Sequence, residues 1–266
     1  MEGKLYLVAM DMKKSLTLNE PTNSRYPTIK TNIVYAFKDK MPLCLNLITP
    51  PYRLNAHSPL IIYVPDVNDK NQVKQDERLT QLIEFSKRGY AVAMVSYRPH
   101  GSLKNMIKDV HTATRYLLDH SFKYGLDPYR YILFGEGFGA YLSCLTLLGQ
   151  NHQIVNDEDI RRSPLRYKGC LMLEPPLNPN NRKAPGLDDL IETQTRQLPP
   201  FLVLNGMADD TLTDEQALTL VDILQQKALF AKLYNFEDAS LDSDAFYTPY
   251  SLDLLFDFIK DSFSRK

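Results

Sequence analysis

Short apolar runs alternate with longer amphipathic stretches from residue 59 to the end of the chain. Continuous apolar runs are typical of strands buried on both faces of a sheet, and apolar residues at helical spacing predict helices that cover it. The predicted strands are residues 59–64, 91–97, 131–134, 168–174, 200–206 and 230–236. The predicted helices are residues 73–87, 102–117 with Ser102 as the N-cap, 140–148, 187–197, 214–227 and 251–263. This alternation predicts a doubly wound, mostly parallel α/β sheet with helices on both faces.

The first 60 residues have a different pattern. Residues 5–10, 31–37 and 43–48 are rich in β-branched and aromatic residues, which predicts antiparallel strands at one edge of the sheet. Residues 175–199 are rich in proline and asparagine and follow a buried strand, where a small cap or lid is expected. The sequence has no internal repeat or linker, so it predicts one domain over residues 1–266.

Composition narrows the choice of partners. The 31 basic and 32 acidic residues nearly cancel, so the overall charge favours neither nucleic acid nor a membrane surface as a partner.

The three cysteines, Cys44, Cys144 and Cys170, lie in apolar stretches without metal-ligand spacing, which predicts core residues rather than disulfides or ligands. No run resembles a secretory signal or reaches membrane-spanning length. We therefore expect a cytoplasmic protein without a metal or another cofactor.

The apolar strand at residues 131–134 leads directly into Gly135-Glu136-Gly137-Phe138-Gly139. This stretch resembles the nucleophile elbow G-x-S-x-G of α/β-hydrolases, in which glycines let a strand and a helix pack closely. Gly137 stands where those proteins have serine. Because glycine relieves the strained backbone of such a turn, the motif is also explained as a packing device.

Further segments, in the same order along the chain, resemble the small carboxylesterase and lipase branch of the α/β-hydrolases, which includes acetyl-xylan and feruloyl esterase-like proteins. These segments are RGYAV at 88–92, SYR at 96–98, KDV at 108–110 and YGLDP at 124–128, followed by the elbow. The resemblance covers roughly residues 30–262. It implies an α/β-hydrolase fold, with a mostly parallel sheet of the eight-stranded type and antiparallel N-terminal strands.

The reaction of that family needs a nucleophile, a histidine base, an acid that orients the histidine, and backbone donors for the oxyanion. At the nucleophile position, Gly137 has no side chain that can attack an ester. Pro65 and Asp66 stand where the family has His-Gly-Gly; Pro65 lacks an N–H, and Asp66 brings negative charge to the oxyanion position. Asp209 matches the acid, with Asp210 as the nearer alternative and a turn or capping role as the other explanation.

Residues 237–242, where the family places its histidine, contain none. His100 follows a predicted strand on the rim that carries the elbow and is a candidate for a relocated base, although an exposed loop histidine is the simpler interpretation. His111 and His120 are predicted to lie on the surface. Glu174, at the end of a strand on the same rim, is a candidate acid.

Two functions remain open from the sequence. The changes at the nucleophile, base and oxyanion positions imply a pseudo-hydrolase that binds a small ligand or a protein partner. Its predicted binding residues at the vestigial site are Pro65, Asp66, Glu136, Gly137 and Phe138. The alternative is a weak carboxylic-ester hydrolase that uses a relocated base. A closed apolar cavity beneath residues 175–199 would indicate a ligand binder, and a filled cavity together with an exposed apolar patch would indicate an interaction module. A homodimer is compatible with either.

Overall fold

The structure of the protein is a computed structural model that describes most of the chain. The described residues are 26–51, 57–67, 73–74, 77–150, 155, 164–176, 198–208, 211–226, 230–240 and 242–265. The predicted strand at residues 5–10, the predicted helix at residues 187–197 and most of the predicted cap at residues 175–199 lie outside them, so the cavity expected beneath that cap stays a prediction.

Eight strands form one sheet. They are β1 (Thr28–Lys38), β2 (Met41–Thr49), β3 (Ser58–Val64), β4 (Ala91–Val95), β5 (Leu126–Glu136), β6 (Cys170–Leu173), β7 (Phe201–Gly206) and β8 (Ala231–Phe236). Their order in space is β1-β2-β4-β3-β5-β6-β7-β8. β2 pairs antiparallel with β1 and β4, and the remaining neighbours are parallel. The predicted mostly parallel sheet with antiparallel N-terminal strands is thereby confirmed.

Helices cover both faces of this sheet. In the described part of the chain they are α1 (Leu79–Lys87), α2 (Leu103–Asp119), α3 (Ser121–Tyr124), α4 (Phe138–Leu148), α5 (Thr211–Gln226) and α6 (Pro249–Ser264). Alternate residues of β3 enter two separate apolar clusters, Leu60 and Ile62 with α2, α4 and α5, and Ile61 and Tyr63 with α1 and α6. None of these helices is both long and apolar enough to cross a membrane.

Side-chain caps define the starts of two helices. The Ser102 hydroxyl accepts a hydrogen bond from the Asn105 N–H at 3.3 Å, so the predicted cap of α2 is confirmed. The Thr248 hydroxyl accepts one from the Ser251 N–H at 3.3 Å, and Pro249 occupies the first turn of α6, where its missing N–H is not needed.

The segment before α1 differs from its prediction. The pattern predicts a helix over residues 73–87, but α1 begins at Leu79. Val73 instead forms an isolated antiparallel bridge with Val67, and the Lys74 N–H donates to the Asp66 carbonyl at 2.9 Å. These bonds tie residues 73–74 to the chain that follows β3, and so keep them out of the helix.

His111 is buried, so its predicted surface position is wrong. Its Nε2 lies 2.9 Å from the carbonyl oxygen of Thr146, and its Nδ1 lies 3.2 Å from that of Val155. Thr146 belongs to the last turn of α4, where helix carbonyls have no intrahelical donors. The imidazole therefore fixes the carboxyl end of α4 to α2. His120 is half-buried, with Nδ1 2.8 Å from the Tyr116 carbonyl oxygen.

A buried ion pair joins α2 to the chain just after β4. Arg98 donates from Nε to Oδ2 of Asp109 and from Nη2 to Oδ1, both at 2.8 Å, and Asp109 is fully buried. The Arg98 Nη1 also donates to Asp39 in the turn between β1 and β2 at 2.5 Å. Two parallel N–H donors match the two carboxylate oxygens, so this contact fixes orientation as well as charge.

Asp109→Ala is predicted to destabilise the protein by about 3–5 kcal/mol, because it leaves the Arg98 guanidinium without its main partner in a mostly buried setting. Urea denaturation gives the free energy of unfolding. Glu84→Ala is the matched control; it removes the exposed Lys87–Glu84 pair and is expected to change stability by about 0.5 kcal/mol. A similarly small effect of Asp109→Ala would contradict the anchoring role.

Candidate functional site

A sharp turn joins β5 to α4. Gly137 forms it, with φ 55° and ψ −126°. A Cβ at Gly135 would lie 2.3 Å from the carbonyl oxygen of Gly139, and a Cβ at Gly139 would lie 2.1 Å from that of Val64. These distances are far inside van der Waals contact. The helix α4 therefore packs this closely against β5 and the end of β3 only because both residues are glycine. The glycines therefore act as the packing device that the sequence indicated.

A carboxylate fills the space beside Gly137. A Cβ built at Gly137 would lie 2.6 Å from both Cγ and Oδ1 of Asp66. The positive φ of Gly137 also disfavours every residue that has a Cβ. In a nucleophile elbow, the nucleophilic side chain extends from this position. Asp66 thus occupies the place that a side chain at residue 137 would need.

The same carboxylate closes the amino end of α4. The Phe138 N–H, the first amide of that helix, donates to Oδ1 of Asp66 at 2.8 Å. First-turn amides lack intrahelical acceptors, and the positive end of the helix dipole favours a negative charge there. The Lys74 Nζ lies 4.0 Å from Oδ2. Asp66, on the chain after β3, therefore supplies the capping acceptor that Gly137 lacks.

Glu136, the last residue of β5, is buried beside this turn. The Tyr63 hydroxyl donates a short hydrogen bond to its Oε2, and the Arg78 Nε donates to its Oε1 at 2.8 Å. The guanidinium carbon of Arg78 lies 5.6 Å from the centroid of the Tyr247 ring. Both oxygens of Glu136 thus have donors, in a setting formed largely by aromatic rings.

Both carboxyl groups are harder to ionise than a carboxyl in water. Burial is the main cause of the raised pKa of Asp66, and two backbone amides and Lys74 counteract it only in part. Burial likewise raises the pKa of Glu136 despite its two hydrogen-bond donors, and the nearby charge of Asp66 adds to the rise. The surroundings therefore do not fully compensate the two negative charges.

These side chains line a small cavity at the carboxyl edge of the sheet. Its volume is about 10 Å³, which gives room for roughly one water molecule. Its lining residues are Tyr63, Asp66, Lys74, Glu77, Arg78, Glu136 and Asp242. Asp242 comes from the loop in which the family resemblance places a histidine. All seven side chains are polar, so this cavity is a charged site rather than an apolar pocket.

The structure brings together four of the five predicted binding residues, namely Asp66, Glu136, Gly137 and Phe138. The fifth, Pro65, directly precedes Asp66, and its carbonyl oxygen accepts a hydrogen bond from the Tyr97 hydroxyl at 2.9 Å. Their role in binding a ligand stays a prediction. Asp209 and Asp210, the predicted acid and its alternative, lie outside the described residues.

Five lining residues were missed from the sequence, and no local motif marks them. Tyr63 lies within a continuous apolar run, while Lys74, Glu77 and Arg78 fall in a segment predicted as helix. The sequence does give one indication of this cluster. Glu136 is an acid at the end of a buried strand, and such a carboxylate needs hydrogen-bond donors or a cation nearby. Asp242, the fifth, is separated from the elbow by about a hundred residues, so its proximity depends on the tertiary fold.

Other candidate catalytic groups do not join this site. His100 is exposed in the turn after β4 and does not line the cavity. Burial raises the pKa of the Cys144 thiol to about 12, so this cysteine is not a nucleophile near neutral pH. Glu174, just after β6, has φ 46°, an uncommon conformation for a residue with a Cβ. No three His, Cys, Asp or Glu side chains converge as metal ligands within the described ranges.

Sequence comparison finds esterase relatives. The BD-FAE family model matches residues 45–168. The "Probable isoprenylcysteine alpha-carbonyl methylesterase ICMEL1" of Arabidopsis thaliana is 23% identical over 193 residues, covering 58% of this chain and 39% of that protein. Its counterpart of the same name in Oryza sativa subsp. japonica is 34% identical over 68 residues, covering 25% of this chain and 16% of that protein. The matches therefore span less than half the length of these curated relatives.

Solved esterases share the fold. Esterase B from Lactobacillus Rhamnosis (HN001) superposes with a TM-score of 0.73 at 15% identity, covering 98% of this chain and 92% of that chain. Thermogutta terrifontis esterase 2 phosphorylated by paraoxon gives 0.71 at 18% identity, covering 92% and 97%. A truncated carbohydrate esterase from gut microbiota also gives 0.71 at 18% identity, covering 92% and 99%. The chain has the α/β-hydrolase fold, as the sequence predicted, and over residues 45–168 it is similar to the BD-FAE family.

Gly137→Ala is predicted to destabilise the protein by about 1–3 kcal/mol, since the new Cβ meets the Asp66 carboxylate and requires a positive φ. In an Asp66→Gly background the clash is absent, so the same substitution is expected to cost less. The difference between the two losses, measured by urea denaturation, is the coupling energy, about 0.5–3 kcal/mol for residues in contact. Equal losses of stability in both backgrounds would contradict the conclusion that Asp66 occupies the space of a side chain at residue 137.

Asp66→Asn is predicted to be more stable than the unmodified chain at pH 7. A raised pKa means that the folded state favours the neutral carboxyl, so ionisation costs stability above that pKa. Asparagine keeps an acceptor for the Phe138 N–H without the charge. The advantage is expected to shrink as the pH falls through the range in which Asp66 becomes protonated.

Thermal unfolding between pH 4 and pH 8 measures this difference. Asp238→Asn, which changes an exposed carboxylate that does not line the cavity, is the control and is expected to parallel the unmodified chain. A stability advantage of Asp66→Asn that grows toward acid pH would contradict the raised pKa of Asp66.

Proposed function

We propose that this chain is a non-hydrolytic member of the esterase-like α/β-hydrolases that uses the region of the elbow to bind a protein partner. The observation that carries the proposal is the position of the Asp66 carboxylate. It fills the space of a nucleophilic side chain at residue 137 and accepts the Phe138 N–H. In the elbow of the family, the amide that follows the nucleophile is an oxyanion donor.

Ester hydrolysis is opposed at the nucleophile, oxyanion and base positions. Gly137 offers no nucleophile, and Pro65 offers no N–H to an oxyanion. An ester bound here would have to develop negative charge beside the Asp66 carboxylate, which already takes the Phe138 donor. The loop at residues 237–242 contributes Asp242 to the cavity and has no histidine.

The relatives named above are a probable methylesterase and several esterases, so hydrolysis by a relocated base is the competing function. It would need a general base within hydrogen-bond reach of the nucleophile. Exposed His100 is not among the residues that line the cavity, and the buried Cys144 thiol is not a nucleophile near neutral pH. These observations favour the non-hydrolytic function.

Within the residues that the structure describes, the size of the cavity at the elbow favours a protein partner over a small-molecule ligand. Pockets that enclose drug-sized ligands have volumes of roughly 300–1,000 Å³ and mostly apolar linings. The cavity at the elbow has about 10 Å³ and a lining of ionisable side chains. It can accept a single polar group presented from outside, and a protein surface can present one.

We expect no covalent adduct when the chain is incubated with paraoxon, and no hydrolysis of p-nitrophenyl acetate above the buffer rate. Thermogutta terrifontis esterase 2, which paraoxon phosphorylates, is the positive control. Intact-mass spectrometry detects the adduct, and absorbance follows the release of p-nitrophenol. Gly137→Ser alone is expected to add no activity, because Asp66 occupies the space of the serine and no base is provided.

The double variant Asp66→Gly/Gly137→Ser removes that steric conflict and still lacks a base, so we expect it to remain without turnover. Stoichiometric phosphorylation of the unmodified chain, or turnover that His100→Ala abolishes, would show instead that this protein is a hydrolase.

A further inference from the structure

Lysine and arginine residues gather at the edge of the sheet where its parallel strands begin, opposite the edge that carries the elbow. β1 begins at the same edge, because it is antiparallel to β2, which is antiparallel to β4. The described segments that bring charged residues to this edge contain nine lysine or arginine residues and three aspartates. Together they form the positive edge, which consists of residues 26–30, 86–90, 119–130, 164–169 and 260–265. The net charge of −1 for the whole chain therefore hides a positive surface.

Neighbouring carboxylates neutralise only part of this charge. Three of the cations are held in the ion pairs Lys87–Glu84, Arg88–Asp253 and Arg130–Asp127. The exposed side chains of Lys30, Lys123 and Arg166 form no ion pair with another residue that the structure describes. Their charges are therefore available to an anionic partner.

Exposed aromatic rings lie among these cations. Phe122, in the one-turn helix α3, is 91% exposed, and Tyr129 is 79% exposed. The Nζ atoms of Lys30 and Lys123 lie 5.6 and 5.1 Å from the centroid of the Tyr124 ring, so a cation of β1 and a cation of α3 lie beside the same ring. The positive edge thus presents apolar rings and positive charges side by side.

This combination fits the surface of a membrane that contains anionic lipids. Anionic headgroups attract lysine and arginine, and phenylalanine and tyrosine rings bind at the boundary between headgroups and acyl chains. Nucleic acid is the other common polyanion. Single strands bind in positively charged grooves, however, and a duplex admits a helix or a β-ribbon into its major groove. Phe122 instead projects from a helix of four residues, which suits insertion among lipid headgroups.

We propose that the positive edge binds the surface of a membrane with anionic lipids, and that Phe122 inserts among their headgroups. The elbow lies at the opposite edge of the sheet, so it faces away from the membrane. This inference goes beyond the proposed function and does not depend on it.

Co-sedimentation of the chain with phosphatidylcholine vesicles, prepared with and without phosphatidylserine, tests this binding. Binding is expected only when phosphatidylserine is present, and it is expected to weaken as the salt concentration rises. Lys30→Gln and Lys123→Gln are each predicted to weaken binding about fivefold. Phe122→Ser is predicted to weaken it about tenfold, because no apolar ring is then left to bury at that position.

Lys40→Gln and Tyr250→Ser are the matched controls, because both side chains are exposed at the opposite edge of the sheet. Both variants are expected to bind the vesicles as the unmodified chain does. All five substitutions change exposed side chains, and thermal unfolding checks that each variant keeps its fold.

Equal binding to vesicles with and without phosphatidylserine, or no binding to either, would overturn the assignment. A loss of binding in Lys40→Gln as large as that in Lys30→Gln would also overturn it, since the total charge rather than the positive edge would then be the cause. Binding of a DNA oligonucleotide that Lys123→Gln weakens, without binding to the vesicles, would assign this edge to nucleic acid instead.

Discussion

The hydrogen bond from the Phe138 amide to the Asp66 carboxylate is the interaction on which the character of this site depends. A glycine at the turn leaves the first amide of α4 without a side-chain cap from residue 137. Asp66 supplies the missing acceptor from the chain after β3 and, in doing so, fills the only side of the turn from which a side chain at residue 137 would extend. The absence of a side chain at 137 and the presence of a carboxylate at 66 are therefore one structural arrangement.

The remaining charges of the site follow from that arrangement. Asp66 is a half-buried carboxylate at the helix terminus, and Lys74 is held nearby because its amide donates to the Asp66 carbonyl. Glu136, one residue before the turn, adds a buried carboxylate, which Arg78 and Tyr63 hold. A fold whose relatives include esterases thus carries a charged cluster at its elbow. This cluster is supported by the close packing of α4 against β5 and against the end of β3, which Gly135 and Gly139 allow.

Much of the fold could be predicted from the sequence because its strands are apolar on both faces and its turns contain glycine or capping residues. Ser102 and the runs at β3 and β7 are examples in which local chemistry and final structure agree. The start of α1 could not be predicted, since the bridge between Val67 and Val73 competes with the helical pattern. Burial of His111 was missed because its acceptors come from α4 and from Val155, far along the chain.

At the site, the sequence indicated that Asp66 and Gly137 belong together, but only the tertiary structure shows that the carboxylate takes the helix amide. The most direct test of this contact is a pH titration of the Asp66 carboxyl carbon and the Phe138 amide by nuclear magnetic resonance. We predict that both report one titration, with the pKa raised from the ordinary value for aspartate, and that the amide is protected from solvent exchange. An Asp66 that titrates like an exposed aspartate, beside a Phe138 amide that exchanges freely, would contradict the account.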